Sequence, residues 1–395
     1  MNKNEERLIE ENQSAFYVFD ISRLKQRIQY LRNSLPKKTA LCYAVKANPF
    51  IAGEIKDDLD RFEICSPGEA GICKTLGIES EKMVISGIYK TPDVMEAMVA
   101  DPRFDGVFTV ESVCQYRLFC RLSEKYRREL RLLLRLTNDS QFGVNEADIE
   151  EIIAGRSGHP FLHVLGIQFF SGTQKTSLKK LRREIDYLEA FLLRLKEELD
   201  YVPEELEYGP GFPVSYFVSD ELEEEELLGS FSELLNNMTA RPRITLELGR
   251  SIAASCGKYY THIVDIKQNK GQNYALVDGG MHHIVYFGQH MAMKHPFLSV
   301  VGKTEINSGS TWAICGSLCS MHDIIAKQIP LPDIEIGDTL CFENTGAYCM
   351  TEGISLFLSR DLPAIYLMRE DGSIICARRA FETEQLNTPN YERMF

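Results

Sequence analysis

Lys46 stands in Tyr43-Ala44-Val45-Lys46-Ala47-Asn48-Pro49, directly after a short apolar run. Two further runs end in Gly209-Pro210-Gly211-Phe212 and in Glu247-Leu248-Gly249-Arg250. A lysine amine that has lost its proton can form an imine with a carbonyl carbon, and a cationic neighbour or a dry pocket lowers its pKa enough for that. A glycine-bearing turn lets backbone amides approach a phosphate. A lysine, a phosphate cradle and a carboxylate are therefore expected together at strand ends. Taken singly, each has a plain alternative: a solvated lysine, glycines that serve only turn geometry, a glutamate paired with an arginine.

The elements that must position these residues are legible as apolar runs bounded by turn or polar residues. They cover Ala40 to Ala44, Phe62 to Cys65, Met83 to Ser86, Gly106 to Val110, Leu132 to Leu136, Val164 to Phe169, Leu206 to Tyr208 and Ile244 to Leu248. Helical patterns lie between them. The clearest spans Ser177 to Leu199, where Leu178, Leu181, Ile185, Leu188, Leu192, Leu195 and Leu199 recur at steps of three and four. Eight strands alternating with helices predict an α/β fold, a (β/α)8 barrel, whose site collects at the C-terminal ends of the strands and whose phosphate is held after strands seven and eight. After Arg250 short strand-like pieces, such as Tyr274 to Val277, Thr311 to Ile314, Thr339 to Phe342 and Ala364 to Met368, alternate with Gly, Pro, Asn and Asp. This predicts a mostly β second domain, with the barrel at residues 22–255 and the β-rich part at 1–21 plus 256–395. The acidic run Asp220 to Glu226 reads as an exposed helix face.

At 395 residues the chain suits two domains, and 44% hydrophobic with 26% charged residues is the balance of a folded globular protein. A net charge of −13 argues against a broad hold on nucleic acid or an anionic membrane. The polar, acidic start and the lack of a long apolar stretch predict a cytoplasmic protein. Eleven scattered cysteines fit reduced thiols, mostly in the core. Cys315 and Cys319 form a C-x3-C pair without a second pair or suitably spaced histidines, so no metal site is expected.

YAVKANP, the GPGF turn, ELGR, VDGGM at 277–281, CGSLC with Asp323, and GAY at 346–348 together resemble the fold-type III pyridoxal-phosphate decarboxylases, a family that includes diaminopimelate, ornithine and arginine decarboxylases. The likeness runs in order from Phe16-Tyr17-Val18-Phe19-Asp20 to the last strands. It implies an alanine racemase-like barrel, pyridoxal 5'-phosphate as cofactor, and an amino acid as substrate. Lys46 would carry the cofactor as a Schiff base, and Glu247 would keep its ring nitrogen protonated so that the ring accepts the electrons left when carbon dioxide departs. Gly209, Gly211, Gly249, Arg250, Tyr348 and the hydroxyl of Thr173 match positions that hold the phosphate, and Arg135 one beside the phenolic oxygen. Cys319 matches a cysteine that enters from the second subunit and returns a proton after decarboxylation, which implies a homodimer with shared sites. One more buried core cysteine is the plain alternative.

Three departures bear on the substrate. Phe170 stands where the family commonly stacks a histidine on the cofactor ring; it can stack but not hydrogen-bond. Ser320 replaces the acidic residue that reads a distal amine in diamino-acid decarboxylases, with Asp323 retained nearby. His282-His283-Ile284 follows VDGGM in place of the Arg-Pro-x-x-Tyr pattern of diaminopimelate decarboxylases. The histidines are substrate contacts or simple packing residues. That wording, with Gly-Thr-Gln at 172–174, is closer to a biosynthetic-cluster branch whose members include a decarboxylase of glutamate carried on an acyl carrier protein. Decarboxylation of an amino acid, free or on a carrier protein, is the expected function. The rivals are a diamino-acid decarboxylase, a racemase, and a non-catalytic decarboxylase-like regulator. The cysteine motif and the glutamate in ELGR weigh against a racemase, and retention of Lys46 and Cys319 against a regulator.

Overall fold

Short leucine- and valine-rich runs separated by helices can bury both faces only in a parallel sheet covered by helices, and here that sheet closes on itself. The structure, a computed structural model, describes residues 3–304 and 310–390. It divides into a barrel unit, Arg27–Pro213 with Leu222–Ile252, and a sheet unit made of the N-terminal residues to Gln26, Val214–Glu221, and residues from Ala253 onward.

Strand β1 (Phe16–Asp20) belongs to the sheet unit. The barrel follows with β2 (Ala40–Ala44), β3 (Arg61–Ile64), β4 (Met83–Ile85), β5 (Val107–Val110), β6 (Leu130–Arg135), β7 (Leu162–Phe170), β8 (Glu205–Gly209) and β9 (Arg243–Leu248), all parallel and closed by β2 on β9. Each overlaps one of the eight expected runs. Because side chains alternate along a strand, Phe62, Leu206, Tyr208, Leu246 and Leu248 are buried next to the charged residues Glu63, Glu207 and Glu247 of the same strands. Cys42, Val84, Val107, Leu133 and Leu165 pack into one apolar cluster. The helix expected at 177–199 spans Leu178–Leu199 and buries Leu181, Ile185, Leu188, Phe191, Leu192 and Leu195. Ser66, Ser112 and Asn145 cap three other helices by accepting from the backbone N–H three residues on.

The acidic run differs from expectation. Asp220 lies in a loop, where its Oδ2 accepts from the amides of Tyr216 and Phe217, and the helix begins only at Glu224. Glu224 to Glu226 fill its first turn, where negative charge is favourable, and Glu224 pairs with Arg27.

The sheet unit holds a nine-stranded sheet. Its strands after β1 are β10 (Gly257–Asn269), β11 (Gln272–Val277), β12 (Leu298–Val300), β13 (Thr311–Cys315), β14 (Ile324–Pro330), β15 (Thr339–Glu343), β16 (Ala364–Met368) and β17 (Ile374–Arg378). The order is β14-β13-β11-β10-β1-β16-β17, with β15 paired to β10 and β12. Stacked rings of Phe16 and Tyr260, 5.0 Å apart, help hold β1 against β10. Residues 214–221, inside the span expected for the barrel, instead join this unit: Asn344 Nδ2 donates to Ser215 O at 2.9 Å and Phe217 forms a bridge with Pro296. Among the described residues no helix is long and apolar enough to cross a membrane.

Candidate active site

Lys46 sits on a single 3-10 turn, Val45–Ala47, directly after β2. Its Nζ lies 2.5 Å from Glu63 Oε2 of β3, 3.6 Å from Glu247 Oε1 of β9 and 3.5 Å from Cys65 Sγ. The lysine side chain is 38% exposed, whereas those of Glu63 and Glu247 are 3% and 10% exposed. The amine thus reaches open space while the carboxylates beside it are dry.

That dryness sets the electrostatics. Burial and the negative charge of Glu63 push the Glu247 carboxyl well above the carboxylate range, with Lys46 and Arg135 acting in the opposite direction. Burial also acts to raise Glu63, but the Lys46 ammonium together with the Cys65 thiol outweighs it and holds Glu63 below the usual range. Of the two, Glu63 carries the charge beside Lys46 and Glu247 retains a proton until another cation arrives. Cys65 Sγ donates to Glu63 Oε1 at 3.0 Å, and burial pushes its thiol up.

Deeper between the strands, Arg61 Nη1 is 2.5 Å from Glu205 Oε1, and Thr245 Oγ1 donates to the same oxygen at 2.6 Å. β3 and β8 are not neighbours, so this ion pair crosses the lumen. Arg61→Met would leave Glu205 buried without its cation. It is expected to lower unfolding free energy by about 3–5 kcal/mol, read as a fall in the urea midpoint; a loss under about 1 kcal/mol would mean that the pair is not desolvated.

The glycine loops after β7 and β8 close on each other. Gly211 has φ +63°, and a Cβ there would lie 2.1 Å from Gly172 O; at Gly209 a Cβ would meet the Phe170 ring at 2.5 Å. Lys175 N donates to Gly211 O at 2.9 Å. Beneath the loop, the buried Lys175 Nζ reaches Glu184 Oε2 and Ser171 Oγ, each at 2.7 Å, and Tyr208 OH donates to Glu184 at 2.5 Å. Thr173 lies in this loop, partly exposed. Gly249 and Arg250 follow β9, with Arg250 buried at the start of the one-turn helix Arg250–Ala253. An amine, buried carboxylates and a cradle that only glycine can line fit a phosphate-bearing aldehyde cofactor.

Arg135 ends β6, 3.0 Å from Glu111 Oε2, with its guanidinium 4.7 Å from the Phe142 ring centre. A second buried amine, Lys90, donates to Gly87 O at 2.9 Å and to Thr109 Oγ1 at 3.2 Å; burial lowers its pKa to about 8. Sequence reasoning missed Glu63, Gln168, Glu207, Glu111 and Lys90. A signal existed for three of them: the alternation in Arg-Phe-Glu-Ile, Ile-Gln-Phe and Glu-Leu-Glu-Tyr places polar residues on one side of an otherwise apolar strand.

The remaining expected site residues belong to the sheet unit. Cys319 is exposed, on the turn after β13. Ser320 Oγ accepts from His322 N at 3.2 Å. Asp323, expected as a substrate contact, makes hydrogen bonds inside its own loop. Its buried carboxylate accepts from Met281 N at 2.7 Å and Leu318 N at 2.8 Å, and it fills the space a Cβ of Gly280 or Gly316 would need. His282 is 1% exposed, its ring centre is 3.9 Å from that of His283, and burial lowers its pKa to about 3. His283 bonds Tyr259 OH and Asp361 O. Tyr348 has φ +64°, and its carbonyl accepts from Thr351 N and Glu352 N.

Residues 16–346 match the family model described as "Pyridoxal-dependent decarboxylase, C-terminal sheet domain", and the chain belongs to this pyridoxal-dependent decarboxylase family. It is a pyridoxal 5'-phosphate-dependent amino-acid decarboxylase of fold type III. Among curated relatives, the L-glutamyl-[BtrI acyl-carrier protein] decarboxylase of Niallia circulans is 25% identical over 93% of this chain and 91% of its own. The diaminopimelate decarboxylase of Aquifex aeolicus is 24% identical over 96% and 92%. In fold, the chain superposes on diaminopimelate decarboxylase from Helicobacter pylori complexed with L-lysine with a TM-score of 0.85, at 23% identity over 97% of this chain and 98% of that one.

Proposed function

We propose that this decarboxylase acts on an amino acid whose far end carries no free ammonium, being neutral, anionic or attached to a carrier protein. The observation that carries this reading is Asp323. Ser320 offers no charge to a distal amine, and the one carboxylate nearby in the motif is committed to the amides of Met281 and Leu318. The relative that acts on carrier-linked glutamate supports the anionic or tethered case.

In this reading Lys46 would hold the cofactor, Glu247 would serve its ring nitrogen, and Arg135 its phenolic oxygen. Gly209, Gly211, Gly249, Arg250, Thr173 and Tyr348 would hold its phosphate, and Phe170 would stack on its ring. Bound pyridoxal 5'-phosphate supplies a conjugated ring that accepts the electron pair left when carbon dioxide departs. Glu247 would face the ring nitrogen of the bound cofactor and, as the carboxylate, keep that nitrogen protonated. Glu63, its oxygen within hydrogen-bond reach of Lys46 Nζ, orients the amine. Cys319, exposed on a loop that Asp323 stiffens, would enter from the partner subunit of a homodimer and return a proton to the substrate carbon that has lost carbon dioxide.

The test is a panel of lysine, ornithine, meso-diaminopimelate, neutral and acidic amino acids, and carrier-linked glutamate, scored by carbon dioxide release at equal cofactor occupancy. Missing charge recognition of ~3 kcal/mol means kcat/KM for the three diamino acids more than a hundredfold below the best substrate. A diamino acid at or near the top of the panel overturns the proposal.

A further inference from the structure

On the side of Glu247 away from Lys46, its Oε2 meets a buried amide of β7. Gln168 in β7 and Glu207 in β8 are register partners in the parallel ladder, and both are buried. Gln168 Nε2 donates to Glu207 Oε1 at 2.7 Å and to Glu247 Oε2 at 3.4 Å, so one amide bridges two carboxyl groups. Arg61 Nη1 stands 3.8 Å from Glu207 Oε2 but 2.5 Å from Glu205. Gly166, two residues before Gln168 on the same side of β7, allows the approach: a Cβ there would lie 1.8 Å from Glu205 O. Gln168 Oε1 and Glu207 Oε2 are buried without a hydrogen-bond partner among the described residues.

We propose that Gln168 and Glu207 are a positioning pair that fixes the orientation and charge of the Glu247 carboxylate toward the cofactor ring. The inference rests on the assignment of Glu247 made under the proposed function. The reason is a count of charge in a dry lumen. Glu63, Glu205, Glu207 and Glu247 share it with the cations Arg61 and Lys46, with Arg135 further off and the thiols Cys42 and Cys65 uncharged. Glu63 engages Lys46 most closely and Glu205 engages Arg61, so Glu207 and Glu247 share no dedicated cation. Four buried carboxylates cannot all ionise against two cations. Burial, then repulsion from Glu247, raises Glu207 to about 8, against the pull of Arg61. A neutral Glu207 removes a negative charge from beside Glu247, which can then stay ionised when a ring nitrogen needs it. Gln168, anchored on Glu207, turns Glu247 Oε2 into place.

The experiment compares Gln168→Met, Glu207→Leu, Glu207→Gln and Glu247→Gln as holoenzymes. Two readouts are taken: the pH at which the visible absorbance of the bound cofactor changes, and the split between kcat and KM. Gln168→Met and Glu207→Leu should each move the absorbance midpoint by about one pH unit or more. They should also lower kcat about ten- to a hundredfold, the scale of one charged hydrogen bond, with KM little changed. Glu207→Gln, the uncharged mimic, should restore both to within about threefold, and because it keeps the packing it also guards against misfolding of the leucine variant. If Glu247→Gln moves neither readout, the assignment of Glu247 fails. If Glu247→Gln moves both while Gln168→Met moves neither, the positioning pair fails and Glu247 stands. A Glu207→Gln variant as damaged as Glu207→Leu overturns the neutral-acid reading.

Discussion

Lys46→Ala is expected to leave the protein without covalently held cofactor and without measurable turnover. Lys46 is the amine that reaches the open mouth beside Glu63 and Glu247, and no other side chain can replace a lysine in forming an imine. After borohydride reduction, the unaltered protein should gain the mass of one cofactor per chain, on the peptide that contains Lys46, and the variant should gain none. Lys90 makes the test stringent. It is a second buried amine on the same unit, with a pKa lowered to about 8 and therefore partly deprotonated near neutrality. Cofactor mass retained on the Lys90 peptide of the variant would move the attachment point to the loop after β4 and overturn the assignment.

Cys319→Ala is expected to slow turnover by ~10²- to 10⁴-fold, the range for a lost general acid, while leaving cofactor binding and its absorbance intact. The thiol is exposed, and the loop beneath it is pinned by Asp323, so its removal should not disturb folding. Mixing Lys46→Ala with Cys319→Ala subunits gives the sharper result. If the cysteine of one subunit serves the lysine of the other, each mixed dimer contains one intact site and regains up to about half the activity of the unaltered enzyme. Mixed dimers without recovered activity would place both residues of a site in the same chain.

Much of the fold is legible in the amino-acid pattern. The eight barrel runs stand out because strands covered on both sides are short and rich in apolar residues, and the Leu178–Leu199 helix because its core face repeats at steps of three and four. β10, the longest strand of the sheet unit, does not, since most of its second half is exposed and it ends in the polar run Lys267-Gln268-Asn269. The motifs at Lys46, Gly209 to Phe212 and Glu247 to Arg250 are readable because turn chemistry at a strand end is local.

By itself, then, the sequence determined the alternation of strands and helices, the residues that lie at the strand ends, and the family resemblance with its cofactor. Tertiary structure alone decided which charges meet. Lys46 and Glu63 are 17 residues apart, Gln168 and Glu247 79, and Arg61 and Glu205 144, and barrel closure brings each pair into contact. It also made Asp323 the clasp of its own loop, and buried His282 against His283. The physical reason is range. Propensity, periodicity and turn chemistry act over a few residues and are written in the local pattern, whereas a carboxylate's charge and partner depend on desolvation and on neighbours supplied by distant strands.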